Sequence, residues 1–229
     1  MIFQKILKSR FWPAANQMFS TCFIYLGLTL LVWGLNDFTG FIANPVRASF
    51  VVVVLVQAGI LAWLVYITPP HPEHEHHFDL ARWHAYMFET IFVLAAFGDR
   101  RNVLAWQENM PLRWLGLIIY LIGMGVVMWA NITWVNHLRR EGPRAVAHPV
   151  LLFDGPFAKI RFPTMLGMAI YCLGFVLMFR SWIGLALMLP LIGGIINRIN
   201  NMEKVFAIEY KKNWPLRRHT SKRLIPHLY

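Results

Sequence analysis

Asp154-Gly-Pro-Phe-Ala-Lys-Ile-Arg-Phe-Pro-Thr-Met-Leu-Gly167 is the stretch on which the reading of this chain turns. It starts as a polar, basic turn and runs directly into an apolar segment. Gly155-Pro156 suits a tight turn, and Pro163 falls at the start of the next helix, where a missing N–H costs little. Downstream, Pro163–Phe179 and Trp182–Asn197 are apolar and separated only by Arg180-Ser181, a spacing that predicts a tight helical hairpin. The return arm brings a second polar stretch, Arg198 to Tyr210, back to the side from which the first one left. Arg161 and Glu203, far apart in sequence, are thereby expected to sit close in space.

The rest of the chain supplies a membrane body for these two stretches. Of 229 residues 57% are hydrophobic and 14% charged, a balance that ordinary soluble domains do not show. Tryptophan (10) and phenylalanine (17) are abundant, as in proteins with aromatic belts at the bilayer surface. Charge-free segments close to the roughly 20 residues that cross a bilayer occur at Met18–Asn36 and Ala48–Thr68, and a further strong span runs from Trp114 to Val135. Tyr86–Gly98 is shorter and contains Glu89; it reads as a tilted span from near Leu80 or as a re-entrant piece. Residues 1–16 form a basic arm suited to the interface, which Pro13 is expected to interrupt. The fold class is therefore all-α: a polytopic membrane protein with five or six transmembrane helices, a C-terminal hairpin and a basic tail. Two parts are expected, 1–110 with the N-terminal helices and 111–229 with the core and tail.

Charge sets the orientation. The net charge of +11 concentrates in the N-terminal arm, in residues 139–161 and in the tail. With six crossings these regions share one side, which the positive-inside rule assigns to the cytoplasm; a bacterial inner membrane is the expected location. Membrane lipids are the expected partners of this basic surface. No nucleic-acid motif accompanies the charge, so nucleic acid is excluded as a partner. The two cysteines, Cys22 and Cys172, lie in apolar segments and form neither a disulfide framework nor a metal-ligand spacing. His71-Pro-Glu-His-Glu-His-His77 lacks the helical spacing of a metal pair and reads as a solvated, pH-sensitive loop, so no metal site is assigned. Gly123-Met-Gly125, inside a span, reads as a helix-packing feature.

Gly155-Pro156-Phe157-Ala-Lys-Ile-Arg161-Phe162-Pro163-Thr-Met165-Leu-Gly167, followed by a hairpin and Arg198-Ile-Asn-Asn-Met202-Glu203, resembles the signature of the integral-membrane methyltransferases. These are the isoprenylcysteine carboxyl methyltransferase and phospholipid methyltransferase relatives. Glu209-Tyr210 and Arg223-Leu-Ile-Pro226 resemble the family's closing motifs, and Leu112-Arg-Trp-Leu-Gly116 is similar to the approach to its core; the resemblance covers about residues 111–226. It implies an S-adenosylmethionine pocket lined by Gly155, Pro156, Phe157, Arg161, Phe162 and Glu203. Arg161, Arg198 and Glu203 would be the catalytic groups, and a small or lipophilic acceptor would enter from the bilayer. The family's histidine, tyrosine and first glutamate are Phe162, Met165 and Met202 here. The alternative is thus an inactive, methyltransferase-like subunit of a larger membrane protein complex.

Overall fold

A computed structural model describes residues 2–68, 79–141, 152–211 and 214–224. Within them the chain is helical apart from turns and two isolated bridges. In chain order the helices are α1 (Ile2–Cys22), α2 (Leu28–Trp33), α3 (Phe38–Ile42), α4 (Pro45–Ile67), α5 (Asp79–Arg101), α6 (Met110–Glu141), α7 (Pro163–Met178), α8 (Trp182–Glu209) and α9 (Trp214–Thr220). A π-helical turn, Phe23–Gly27, joins α1 to α2. Four stretches are long and apolar enough to cross a membrane: Arg10–Trp33, Pro45–Ile67, Met110–Arg140 and Trp182–Ile208. α7 is apolar but shorter.

The helix starts follow local chemistry. Asn44 caps α4, its side-chain oxygen accepting from the N–H groups of Val46 and Arg47, with Pro45 in the first turn. Ser181 caps α8 by accepting from the N–H of Gly184. The expected interruption at Pro13 does not occur: α1 runs through it. A proline removes one bond from the helical ladder but does not by itself end a long helix, and within a bilayer the helix is the state that satisfies every other backbone group. The α8 helix likewise continues past Asn197 to Glu209, so the second polar stretch is the last turns of a helix rather than a loop.

α6 and α7 form the most extensive helix pair, and glycine makes it possible. A Cβ on Gly116 would lie 2.7 Å from the Gly174 carbonyl oxygen, and one on Gly167 would lie 2.7 Å from that of Gly123. The two glycine pairs face each other in antiparallel register, letting the backbones touch. Gly123 therefore has the packing role expected of it, whereas Gly125 faces open space. The pairs α1–α4 and α5–α8 complete the bundle. One hydrophobic cluster runs from Phe50 and Phe92 through Tyr120 to Phe175, Phe179 and Ile199, crossing the sequence boundary near residue 110.

Candidate functional site

Residues 152–162, the last turns of α8 and the 214–224 segment converge at one end of the bundle. Gly155 adopts φ +57°, and a Cβ there would lie 2.6 Å from the Thr133 hydroxyl on α6; only glycine allows the turn to lie this close. Pro156 is buried beside it. From this anchored turn the chain passes through Arg161 and Phe162 into α7. The tail folds back onto it: the Arg161 N–H donates to the Lys222 carbonyl at 2.7 Å, and the Lys222 N–H donates to the Lys159 carbonyl at 3.0 Å. The basic tail is accordingly an integral wall of the site as well as a surface, with Trp214, Arg217 and Ser221 buried.

Glu203 links the three segments. Its carboxylate receives the Arg223 Nε at 3.1 Å and Nη2 at 2.8 Å. Arg161 Nη1 lies 2.8 Å from Oε1, the oxygen that also accepts from Arg223 Nε, as an ion pair, out of line for a hydrogen bond. Beside this triad is a cavity of about 150 Å³ lined by Phe157, Arg161, Phe162, Met202, Trp214 and Arg217, among others. Its aromatic wall is ordered: Phe162 stacks on Phe206 with ring centroids 6.2 Å apart and planes 3° from parallel, and Phe206 contacts Trp214 at 5.6 Å. Arg217 is 3% exposed. The buried Nε of Arg161 and Nη1 of Arg217 have no hydrogen-bond partner among the described residues. Burial lowers the pKa of Arg161. Burial, with the charge of Arg161 added, brings Arg217 down to about 10.

The sequence-derived site residues therefore divide. Phe157, Arg161 and Phe162 line the cavity, and Glu203 stands next to it as the counter-charge of Arg161. Gly155 and Pro156 shape the turn without forming the wall. Arg198, one helical turn before Met202 on the same stripe of α8, lies outside the cavity lining. Phe162, Met165 and Met202, where the resembled motif is polar, all line the cavity. Arg217 was not singled out from the sequence; its signal was only a basic residue three positions after a tryptophan in a basic tail. The His71–His77 loop and His148 lie outside the described residues. No group of three or more metal-ligating side chains occurs among the described residues.

A second polar cluster, also unforeseen, closes the opposite end. Asp99 is fully buried and receives Arg113 Nη2 at 2.8 Å, Arg180 Nε at 2.7 Å and Arg47 Nη1 at 3.1 Å. Glu108 holds Arg113 from the loop side at 2.5 and 2.9 Å, and that hydrogen bonding keeps Glu108 below the usual carboxylate range. Remaining guanidinium N–H groups donate to the carbonyls of Phe41, Met178 and Trp106. Each arginine of this cluster has a carboxylate partner within it, three guanidiniums sharing two carboxylates, and the cluster ties α4, α5, α6 and the α7–α8 turn. Between the two ends, Tyr25 and Tyr171 share a hydrogen bond at 3.0 Å, and Tyr120 donates to Gln57 at 2.9 Å.

The cavity end can be tested against the cofactor that the motif implies. A carboxylate would satisfy the orphaned N–H groups of Arg161 and Arg217, and the aromatic wall suits a purine ring or a sulfonium. An ammonium would need Glu203 to exchange one of its two arginines. The enclosed volume is below the roughly 300 Å³ of small-ligand sites, so it takes one end of such a molecule. The residues present fit the methionine end of S-adenosylmethionine, its carboxylate and sulfonium. No protein-family model, curated protein or solved structure matches the chain.

Proposed function

We propose that this chain is an integral-membrane transferase that uses S-adenosylmethionine to methylate a small or lipophilic acceptor at the cytoplasmic face. The observation that carries the reading is the convergence of Arg161, Glu203 and Arg223 from three separate segments beside a cavity that retains unpaired guanidinium N–H groups. Arg161, with Arg217, would hold the cofactor carboxylate; Phe157, Phe162 and Trp214 would flank its sulfonium. When bound, the cofactor supplies an electrophilic methyl group on sulfur. The chain's part is to align the acceptor and exclude water, which is most of what in-line methyl transfer requires. Six crossings complete the proposal, α5 and α7 adding to the four apolar spans. α5 supports this through its 23 residues, about 34 Å of helix, and a face buried at Phe88, Ile91, Phe92, Ala95 and Ala96. The basic tail then lies on the cytoplasmic side of a bacterial inner membrane.

A second reading has its own observation. Glu203 is already engaged by two arginines, and Phe162, Met165 and Met202 make the cavity wall apolar; both suit an accessory subunit that retains the fold without the reaction. Calorimetry of the purified protein with S-adenosylmethionine separates the two. Saturable heat at micromolar to millimolar cofactor is expected for the transferase. Its absence, with a stoichiometric membrane partner co-purifying, selects the subunit.

A further inference from the structure

We propose that the Arg161–Arg217 cavity binds the phosphate of an acidic membrane phospholipid, with the start of an acyl chain along Trp134, Met165 and Met202. This goes beyond the methyl-transfer reading and does not need it: the lipid would be held as a ligand and not as a methyl acceptor, and its phosphate would occupy the two arginines in competition with a cofactor carboxylate. The first ground is charge. Arg161 and Arg217 are both more than nine-tenths buried, by side chain and by residue respectively. The carboxylate beside them, Glu203, is shared between Arg161 and Arg223. Two cations stand at one cavity with a single carboxylate that also serves a third. A buried cation without a matched anion is costly. Each of the pair has a buried guanidinium nitrogen without a hydrogen-bond partner among the described residues. An oxyanion placed between them would satisfy both N–H groups and offset their repulsion.

The second ground says what carries the anion. The rest of the wall is apolar and aromatic, which a small hydrated anion would not use. Trp134 belongs to the membrane-spanning part of α6 and is 38% exposed, so the cavity reaches a lipid-facing surface. Arg161 lies two residues before α7 and Arg217 follows the end of α8, the level at which chains leave the bilayer and phosphates lie. Exposed Lys159, Lys204, Arg218 and Lys222 on the same segments add the diffuse attraction that draws acidic lipids to such a surface.

The test is a native mass-spectrometric titration of the full chain, released from detergent, with phosphatidylglycerol and with phosphatidylcholine of the same acyl chains. Inorganic phosphate and S-adenosylmethionine form separate arms. Phosphatidylglycerol should bind roughly tenfold or more tightly than phosphatidylcholine, and Arg217→Gln should remove that difference. Arg218→Gln, at an exposed neighbour, should change it less than about twofold. Met202→Trp keeps both arginines and fills the cavity, and should lower the affinity for both lipids; it serves if Arg217→Gln does not fold. Equal binding of the two lipids, an equal loss in Arg217→Gln and Arg218→Gln, or inorganic phosphate binding as tightly as phosphatidylglycerol would each overturn the proposal. Binding of S-adenosylmethionine without selective binding of phosphatidylglycerol would also overturn it while leaving methyl transfer standing. Selective lipid binding without cofactor heat would do the reverse.

Discussion

At the scale of single residues, the two ends of the bundle treat charge in opposite ways, and this gives different expectations for mutation. Asp99 sits among three arginines in a fully buried site. Removing its charge leaves them facing one another, so Asp99→Asn should cost about 3–5 kcal/mol, measured by denaturant unfolding in detergent. Glu203 is slightly more accessible, with 11% of its side chain exposed; Glu203→Gln should cost about 2–3 kcal/mol and loosen the tail from the 159–162 turn. The same substitution should also weaken any cofactor heat, and the stability measurement separates the two effects. Arg217 should behave in the opposite sense. Its native pKa of about 10 lies below its ordinary value, so the charged side chain opposes folding at every pH below 10. That penalty is relieved as pH rises above 10 towards the ordinary arginine pKa. Arg217→Met should therefore stabilise the ligand-free protein at neutral pH by about 1–3 kcal/mol, with the gain shrinking above pH 10. A stabilising loss of a buried arginine is the pattern of a residue kept for binding rather than for folding.

At the scale of elements, the decisive contact is the α6–α7 pair. Gly116 and Gly123 on one helix meet Gly174 and Gly167 on the other, each closer than a side chain would permit. Gly167→Leu should force the helices apart and cost about 3 kcal/mol or more, seen as lost monodispersity and early unfolding. Gly125→Ala, on the open side of the same helix, should be neutral or stabilise by up to about 1 kcal/mol, because alanine is the better helix former. The hairpin turn shows how an element boundary can be legible while its reason is not. Arg180-Ser181 is legible in the sequence as a turn. The side chain of Arg180 reaching Asp99, while its own backbone takes φ +49°, depends on α5 ending beside that turn. Pro13 is the converse. It is a strong local breaker that the helix nonetheless carries, because in an apolar setting the alternative leaves more backbone groups without partners.

At the scale of the whole molecule, the topology fixes which ends lie together. The Asp99 cluster is built where α4 and α6 begin and α5 ends; the Arg161–Glu203 site is built where α7 begins and α8 ends. Reporter cysteines in a protein lacking Cys22 and Cys172 test the arrangement through labelling of intact cells and of inverted vesicles. Gln107→Cys and Lys222→Cys should label from opposite sides, since α6 separates them and the α7–α8 hairpin returns. With six crossings Ser9→Cys should label from the same side as Lys222→Cys; labelling from opposite sides would remove α5 from the count.

The sequence by itself determined the helical class, the membrane setting and the two stretches that meet, because these follow from apolar length, from proline and glycine positions, and from the shortness of one turn. It also put Arg161 and Glu203 near one another, and the motif resemblance added Phe157 and Phe162 to them. It did not disclose that Arg217 enters the same cavity, that Glu203 is held by Arg223, or that Asp99 gathers three arginines. Those facts depend on which side chain each helix turns inward and on where a folded-back tail comes to rest. The pairing energy that selects such positions is shared between residues distant in sequence, so no local pattern carries it. In the stretch from Asp154 to Gly167 the order of residues sets the turn and the helix start. The tertiary structure leaves the N–H groups of its arginine beside an apolar cavity, and that is where the chemistry of this protein is to be sought.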